Sequence, residues 1–256
     1  MTVSDFKGAV INRPLVLSID LDSTFPESDA DSRHALFSLL ENHLDDVKLI
    51  YTSDGPAEAL IQLAADAELP VPAVFMADAG TTLLKGDGSG AIEPLQRNII
   101  QLWPGTDQVE KALKEIEGVE LHEDHALCRE TITVKGEEAL EILRAKVAEL
   151  GCHLEEHGPD DYYVLPYGVE KGTTLGRYIV EQNVSPAAVI AIGQSIGDMV
   201  LFGRGWRGAV FPHAPEMLRV EADRFHNVHI LEHDGALGVL EALRLHGWLD
   251  LAAATA

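Results

Sequence analysis

Cysteine is scarce in this chain of 256 residues, with only Cys128 and Cys152 present. Their spacing matches neither the close pairs that bind a metal nor the dense disulfide framework of small secreted domains. We therefore expect reduced thiols, as in a cytosolic protein. A single disulfide between the two cysteines is the open alternative.

Basic residues and long apolar runs are also scarce. The chain has 19 Lys and Arg against 42 Asp and Glu, a formal net charge of −23, which argues against a nucleic acid as partner. No apolar run approaches the roughly 20 residues that span a bilayer, and the amino terminus lacks the pattern of a signal peptide. These absences predict a soluble cytoplasmic protein with no membrane partner, and they leave the oligomeric state open.

The sequence does contain a short apolar stretch that ends in acids, at residues 15–24 (LVLSIDLDST). Its nearly continuous apolar residues predict a strand buried on both faces, as in a parallel sheet. Asp20 and Asp22 follow at the carboxyl end, where open α/β sheets bind ligands. Two such carboxylates can share a divalent cation and leave one free to attack an electrophile. From these ten residues alone, an acidic loop that caps the next helix is an equal alternative.

Strand and helix patterns alternate along most of the chain. Strands are predicted at 47–52, 71–76, 187–192, 209–211 and 228–231, and helices at about 35–44, 57–64, 171–182 and 236–249. This alternation indicates right-handed β-α-β units and a parallel sheet.

The pattern changes between residues 85 and 166. Two predicted strands, 130–134 and 162–165, alternate apolar and polar residues, which suits a sheet with one solvent-facing side. A predicted helix at 137–150 lies between them. We therefore expect an α/β fold with a doubly wound, mostly parallel core at 1–84 and 167–256, and an inserted α+β module at 85–166.

Polar residues mark four of the predicted strand ends and helix starts: Asp20 with Asp22, Thr52, Lys171 and Asp198. In this order they resemble the four motifs of the haloacid dehalogenase superfamily of phosphohydrolases, over essentially the whole chain. Four further stretches are most similar to the sucrose-phosphate phosphatase group: 78–81 (DAGT), 164–172 (VLPYGVEKG), 199–202 (MVLF) and 213–218 (HAPEML). The resemblance implies a Rossmann-like core with a type II (C2B) cap inserted between the second and third motifs.

The resemblance also implies a role for each motif residue. Asp20 is expected to accept the phosphoryl group as an aspartyl phosphate, and Asp22 to protonate the leaving alcohol and then activate water. Thr52 is expected to hydrogen-bond a phosphoryl oxygen, and Lys171 to neutralise charge on the transferring group. The implied cofactor is Mg²⁺, and its expected ligands are Asp20, the backbone carbonyl of Asp22, Gln194 and Asp198.

Several positions depart from the family pattern. Gln194 and Gly197 stand where the fourth motif has Asp and Asn, and an uncharged Gln should bind a metal more weakly. The second motif continues with Ser53 and Asp54 in place of Gly and Arg. Two further replacements are Ser23 for Gly and His213 for Asn.

The expected substrate-binding residues are Ser53, Arg129 and His213. Three more cap residues are candidates for holding a sugar or its phosphate: Lys135, His153 and Tyr162. Each of the three has an ordinary alternative, because a His or Tyr on an alternating strand is usually half-buried in the sheet and a Lys beside a glycine usually lies on a turn.

Two functions follow as hypotheses. The first is a magnesium-dependent phosphomonoester hydrolase for a phosphorylated sugar or polyol, with a cap that closes over this small-molecule substrate. The second is a catalytically impaired sugar-phosphate sensor, or a partner domain of an enzyme that makes sugar phosphates, as the departures at Gln194, Gly197 and Asp54 suggest. Phosphotransfer to an alcohol is a third option that the sequence does not test.

Overall fold

The computed structural model describes residues 2–6, 8–11, 13–21, 25, 28–123 and 126–250. The strands are β1 (Val10–Ile11), β2 (Leu15–Asp20), β3 (Val47–Thr52), β4 (Val74–Ala77), β5 (Thr82–Lys85), β6 (Val119–Leu121), β7 (Glu130–Val134), β8 (Cys152–Glu156), β9 (Asp161–Pro166), β10 (Val189–Gly193), β11 (Arg207–Val210), β12 (Val228–Ile230) and β13 (Leu249–Asp250). The α-helices are α1 (Ala30–Glu41), α2 (Ala57–Asp66), α3 (Leu95–Leu102), α4 (Thr106–Leu113), α5 (Glu137–Glu149), α6 (Lys171–Glu181), α7 (Glu216–Ala222) and α8 (Gly235–Leu245). Short 3-10 helices lie at Val3–Phe6, Asp78–Gly80, Pro186–Ala188 and Ile196–Leu201.

A seven-stranded sheet forms the centre of the molecule, in the order β12-β11-β10-β2-β3-β4-β5. Its strands are parallel except β5, which runs antiparallel to β4. This confirms the predicted α/β fold with a mostly parallel sheet. The apolar run of β2 is explained by its position in the middle of the sheet, because all six of its residues are buried.

Both faces of this sheet are covered by helices. Leu17 and Ile19 pack in one apolar cluster with residues of α1, α2 and α8, whereas Val16 packs in a second cluster with residues of α3, α6 and α7. Successive residues of a strand point to opposite faces, so a strand covered on both sides must be apolar throughout. The sheet is therefore doubly wound.

Four antiparallel strands form a second sheet, in the order β6-β7-β9-β8. One face carries α4 and α5, and its apolar cluster includes Ile132, Leu143 and Val164. The other face turns toward the main sheet, where Tyr163 and Leu165 pack against Ala79. We call this sheet with α4 and α5 the cap.

The predicted boundaries of the inserted module, 85 and 166, stay a prediction. The first strand after the second motif, β5, still belongs to the main sheet up to Lys85. Leu95 and Ile99 of α3 pack in the same cluster as Val16 of the main sheet. The segment from 86 to 102 therefore returns to the main sheet before the chain enters α4.

Two sequence expectations concern thiols and membranes. Cys128 and Cys152 are both free and buried, and burial raises the pKa of each thiol, to about 12 for Cys128 and about 11 for Cys152.

Among the helices of the described residues, none has the length and apolar character needed to cross a bilayer.

The order of the strands predicts a ligand site at the carboxyl ends of β2 and β10. The chain moves from β2 outward through β3 and β4, and after the cap it returns at β10 on the opposite side of β2. Ligands bind in open α/β sheets at such reversals of strand order, because the connections leave a crevice there. Asp20 ends β2 and pairs in register with Thr52 at the end of β3.

Candidate active site

Lys171 lies at the centre of a group of buried carboxylates. Its side chain is fully buried, and its Nζ lies 2.6 Å from Asp54 Oδ1 and 3.4 Å from Asp20 Oδ1. Asp198 Oδ1 accepts a third contact from the same nitrogen. Burial opposes the charge of Lys171, but Asp198, Asp20 and Asp54 outweigh it and hold the pKa of Lys171 well above its usual range. The site therefore contains a fixed cation surrounded by three acids.

The start of α6 fixes the position of Lys171. Glu170 precedes the helix in an extended conformation, and its side chain and that of Thr173 form a reciprocal capping box. Gly80 of the DAGT stretch lies directly against this turn, and its carbonyl accepts a 2.9 Å hydrogen bond from Thr174 Oγ1. The DAGT stretch therefore supports the helix that carries Lys171.

Gly80→Ala is expected to destabilise the fold and to displace Lys171. Gly80 has a φ of +91°, and an added Cβ would lie 2.6 Å from the backbone nitrogen of Lys171. The strained φ costs about 1 kcal/mol and the overlap about 1–3 kcal/mol more. Gly88→Ala is the matched control, because Gly88 also has a positive φ, +70°, with open space around its Cβ position. Equal midpoints of urea unfolding for the two variants would contradict this account.

Asp20 is held from both sides of its carboxylate. Thr52 Oγ1 donates to Oδ1 over 3.3 Å, and the side-chain nitrogen of Gln194 donates to Oδ2 over 3.1 Å and to the Asp20 carbonyl over 2.9 Å. Burial and the charge of Asp198 raise the pKa of Asp20 well above its usual range, and Lys171 offsets part of this rise. Asp22 and Ser23 lie outside the described residues, so the expected role of Asp22 stays a prediction.

Asp198 orients the loop after β10. Its Oδ2 accepts hydrogen bonds from the backbone nitrogens of Gln194 (2.7 Å) and Ser195 (2.9 Å) and from Ser195 Oγ (3.1 Å), while Oδ1 contacts Lys171. A Cβ at Gly193 would lie 2.5 Å from Asp198 Cβ, so the turn needs glycine there. Both carboxylate oxygens of Asp198 therefore have protein partners, and its expected role as a metal ligand stays a prediction.

Two of the departures from the family pattern depend on each other. Asp54 stands where the second motif has a basic residue, and it pairs with Lys171 and accepts a 2.9 Å hydrogen bond from Ser195 Oγ. Burial raises the pKa of Asp54, but Lys171 and Ser195 outweigh it and lower the value overall. A Cβ at Gly197 would lie 2.9 Å from Asp54 Oδ2. The extra acid therefore fits beside the fourth motif because Gly197 has no side chain.

A chain of polar side chains reaches Asp20 from the other side. His213 Nε2 lies 3.1 Å from Gln194 Oε1, and His213 Nδ1 contacts Asp234 Oδ1. The imidazole also stacks on Phe211, with ring centroids 5.8 Å apart. Asp234 fixes His213, and His213 in turn faces the oxygen of Gln194. Sequence reasoning missed Asp234, and its position just before α8 gave no sign of this contact.

The remaining expected residues have structural partners. Arg129 has 3% of its surface exposed, donates from Nη1 to the carbonyl of Asp54, and places Nη2 3.5 Å from Asp78 Oδ1. It therefore connects the cap to the second motif. Ser53 Oγ accepts a 3.0 Å hydrogen bond from the backbone nitrogen of Gly55 and closes the turn after β3. Contact of either residue with a substrate stays a prediction.

The other cap candidates lie in different places. Lys135 is exposed and pairs with Glu120 at 3.1 Å, and Tyr162 packs in the apolar cluster of the cap itself. His153 lies on the face of the cap that turns toward the main sheet. Of the three, the structure brings only His153 near Glu170, the residue before Lys171.

A family model described as sucrose-6F-phosphate phosphohydrolase matches residues 13–247. The chain belongs to this family. The phosphohydrolase family and its haloacid dehalogenase core, both expected from the motifs, are thereby confirmed.

Solved structures show the same fold. The sucrose-phosphatase from Synechocystis sp. PCC6803, described in complex with sucrose and phosphate, superimposes with a TM-score of 0.80 at 17% identity, over 93% of this chain and 100% of that one. A haloacid dehalogenase-like hydrolase from Bacillus subtilis superimposes with a TM-score of 0.62 at 17% identity, over 92% of this chain and 93% of that one. Both share the core and the cap.

A curated relative is named for synthesis of a sugar phosphate. The glucosylglycerol-phosphate synthase of Pseudomonas anguilliseptica is 28% identical over 236 residues, which are 92% of this chain and 31% of the relative. This sucrose-6F-phosphate phosphohydrolase family member therefore spans about a third of the length of that relative.

Proposed function

We propose that this protein hydrolyses the phosphomonoester of a phosphorylated sugar or polyol through an aspartyl phosphate on Asp20. The observation that carries the proposal is the position of the Asp20 carboxylate, which lies at the reversal of strand order between Thr52, Lys171 and Gln194. Membership of a phosphohydrolase family supports the same reaction.

Asp20, Thr52 and Lys171 each have a defined part in this reaction. An oxygen of Asp20 forms a bond to phosphorus as the bond from phosphorus to the leaving alcohol breaks, and the alkoxide takes a proton, by our proposal from Asp22. Water then attacks the aspartyl phosphate, releases inorganic phosphate and restores Asp20. The Lys171 cation and the Thr52 hydroxyl stabilise the negative charge on the phosphoryl oxygens.

The residues around Asp20 fit a divalent cation. Asp20, Asp54 and Asp198 bring three carboxyl groups against the single positive charge of Lys171, and the raised pKa of Asp20 reflects burial together with this surplus of acids. The amide of Gln194 directs its nitrogen to Asp20, and a half rotation of this amide would direct its oxygen there. We propose Mg²⁺ as the cofactor, held by Asp20, Gln194 and the carbonyl of Asp22. When bound, it would neutralise charge on the phosphoryl group.

Gln194→Glu is expected to tighten Mg²⁺ binding about tenfold, because Ca²⁺ and Mg²⁺ affinity rises with the charge of the ligands and the shape of the side chain is kept. Calorimetric titration of the substrate-free protein measures this affinity. Gln182→Glu is the matched control, because Gln182 lies at the exposed end of α6 and accepts a hydrogen bond from Lys48. Equal Mg²⁺ affinities for the wild type and Gln194→Glu would exclude Gln194 from the metal site.

We further propose that the substrate is a glycosyl polyol phosphate. The relative from Pseudomonas anguilliseptica is named for the synthesis of glucosylglycerol phosphate, and the family is named for the hydrolysis of sucrose-6F-phosphate. Both names describe a phosphate ester of an alcohol that carries a sugar. This chain would then remove the phosphate group that a synthase of that kind leaves on its product.

The test is phosphate release from glucosylglycerol phosphate, sucrose 6F-phosphate and glycerol 3-phosphate, with and without Mg²⁺. We expect Mg²⁺-dependent release, fastest from glucosylglycerol phosphate. The second candidate function, a partner domain of a synthase, is favoured by the pairing of Asp54 with Lys171, which occupies the cation that a phosphate would use. Binding of glucosylglycerol phosphate without any release of phosphate would support the partner domain and contradict the phosphatase.

A further inference from the structure

One buried carboxyl group of the cap has no use in the proposed reaction. Glu155 lies on β8, opposite Tyr163 of β9 in the antiparallel register. Cys152 and Leu154 of the same strand pack in the apolar cluster of the cap, so Glu155 and His153 point to the opposite face. That face covers the active site, because Tyr163 shares it and packs against Ala79 of the DAGT stretch.

The carboxyl group of Glu155 is buried and unpaired within the part of the chain that the structure describes. Only 8% of its surface is exposed, and neither Oε1 nor Oε2 has a hydrogen-bond partner among the described residues. Burial raises its pKa to about 8, and the neighbouring charges of Asp54, Glu170 and Asp198 add to this rise against the opposing charge of Lys171. An unsatisfied buried polar group destabilises the folded protein, so a functional reason for Glu155 is expected.

A second unsatisfied group lies beside it. His153 Nδ1 is buried without a hydrogen-bond partner among the described residues, and burial lowers the pKa of this imidazole. Polar atoms of His153, Glu155 and Glu170 all lie within 4.8 Å of one another. Glu170 is already committed, because it contacts Arg204 and caps α6. Among the described residues, the atoms left without a partner are therefore both carboxyl oxygens of Glu155 and Nδ1 of His153.

We propose that Glu155 and His153 form a subsite for neighbouring hydroxyl groups of the leaving alcohol. This inference rests on the proposed phosphatase function and names the part of the substrate that the cap binds. A carboxyl group and an imidazole can each accept or donate a hydrogen bond, which matches the two capacities of a hydroxyl group. The raised pKa of Glu155 favours its neutral form, which would not repel a phosphate group bound in the active site.

A cation is a weaker occupant of the same place. Of the three groups, Glu170 has its carboxylate bound to the guanidinium of Arg204, which repels any metal ion brought close to it. Only the Glu155 carboxyl and the His153 imidazole then remain as possible metal ligands. Proteins hold Zn²⁺ or Mg²⁺ with more ligands than these two. Two hydrogen-bonding groups are enough to bind a pair of neighbouring hydroxyl groups.

Glu155→Met removes the capacity of this side chain to hydrogen-bond a substrate and keeps its length, whereas Glu155→Gln keeps a donor and an acceptor. We expect Glu155→Met to lower kcat/KM for glucosylglycerol phosphate roughly 10- to 100-fold, and Glu155→Gln to restore most of the loss. The phenyl group of phenyl phosphate carries no hydroxyl group besides the ester oxygen. The kcat/KM for this ester should therefore change by less than about threefold in both variants. Glu156→Gln is the matched control, because Glu156 is exposed on the opposite face of β8.

Three outcomes would overturn the proposal. The first is an equal fall for both esters, which would assign Glu155 to the chemistry or to folding. The second is no fall for either ester. The third is Mn²⁺ or Mg²⁺ binding that Glu155→Met abolishes, which would assign the group to a cation.

A separate measurement keeps the proposal testable if no ester releases phosphate. Calorimetry then follows the binding of glucosylglycerol, without phosphate, to the wild type and to Glu155→Met. Binding that falls about tenfold or more in Glu155→Met would support the hydroxyl subsite even though the phosphatase function had failed. Equal binding by the two proteins, or none by the wild type, would overturn it.

Discussion

Asp20→Asn is expected to lower the rate of phosphate release about 10⁴-fold or more, while the fold stays intact. An amide is a poor nucleophile, and loss of a covalent nucleophile removes most of the rate enhancement of an enzyme that uses one. The Asn side chain preserves only some of the hydrogen bonds that Asp20 accepts from Thr52 and Lys171. It also removes one of three acids packed around a single lysine, so the melting temperature should stay equal or rise.

The control for this variant is Asp45→Asn, an exposed change in the turn before β3. It alters the net charge equally and should leave both the rate and the melting temperature unchanged. Activity of Asp20→Asn within tenfold of the wild type would rule out Asp20 as the nucleophile. If the variant lost activity because it unfolded, the loss would have a structural cause, and the expected intact fold would be contradicted.

Lys171→Met is expected to destabilise the protein by about 3–5 kcal/mol, because it leaves three buried carboxylates without a cation. For a chain of this size the loss corresponds to a fall in melting temperature of about 10 °C. The loss should shrink at low pH, since protonation of Asp20 and Asp54 removes the repulsion between these two carboxylates. Calorimetric melting at several pH values measures both effects.

Lys135→Met provides the comparison, because Lys135 forms an exposed ion pair with Glu120 at 3.1 Å. Exposed pairs contribute little, so this variant should melt within a degree or two of the wild type. The double variant Lys171→Met with Asp54→Asn should recover part of the lost stability. A Lys171→Met protein as stable as Lys135→Met would show that the carboxylates do not depend on this lysine.

Much of the main sheet could be predicted from the sequence, because buried parallel strands are apolar throughout and end in polar residues. The strand predicted at 47–52 occurs as β3 (Val47–Thr52), and that predicted at 187–192 occurs as β10 (Val189–Gly193). In the cap sheet, the alternating strand predicted at 130–134 occurs as β7 (Glu130–Val134). Strands β1, β5, β6, β8 and β13 were missed. The polar residues His153, Glu155 and Glu156 remove the apolar pattern by which β8 could have been predicted. His153 and Glu155 lie on the face of the cap that covers the site.

The contacts within the site were less predictable. Asp20, Thr52 and Lys171 come together as their motif positions suggested. The compensation between Asp54 and Gly197 could not be predicted, because it joins residues 143 positions apart through one missing Cβ atom. The contact of Asp234 with His213 likewise joins residues that are distant in the chain, because Asp234 directly precedes α8 and His213 follows β11.

The most direct test of the central claim is the mass of the peptide that contains Asp20, after reaction with glucosylglycerol phosphate and rapid acid quenching. A covalent intermediate on Asp20 predicts that this peptide carries one phosphoryl group in the wild type and none in Asp20→Asn. Phosphate release without any phosphoryl group on this peptide, together with full release by Asp20→Asn, would contradict the proposed mechanism.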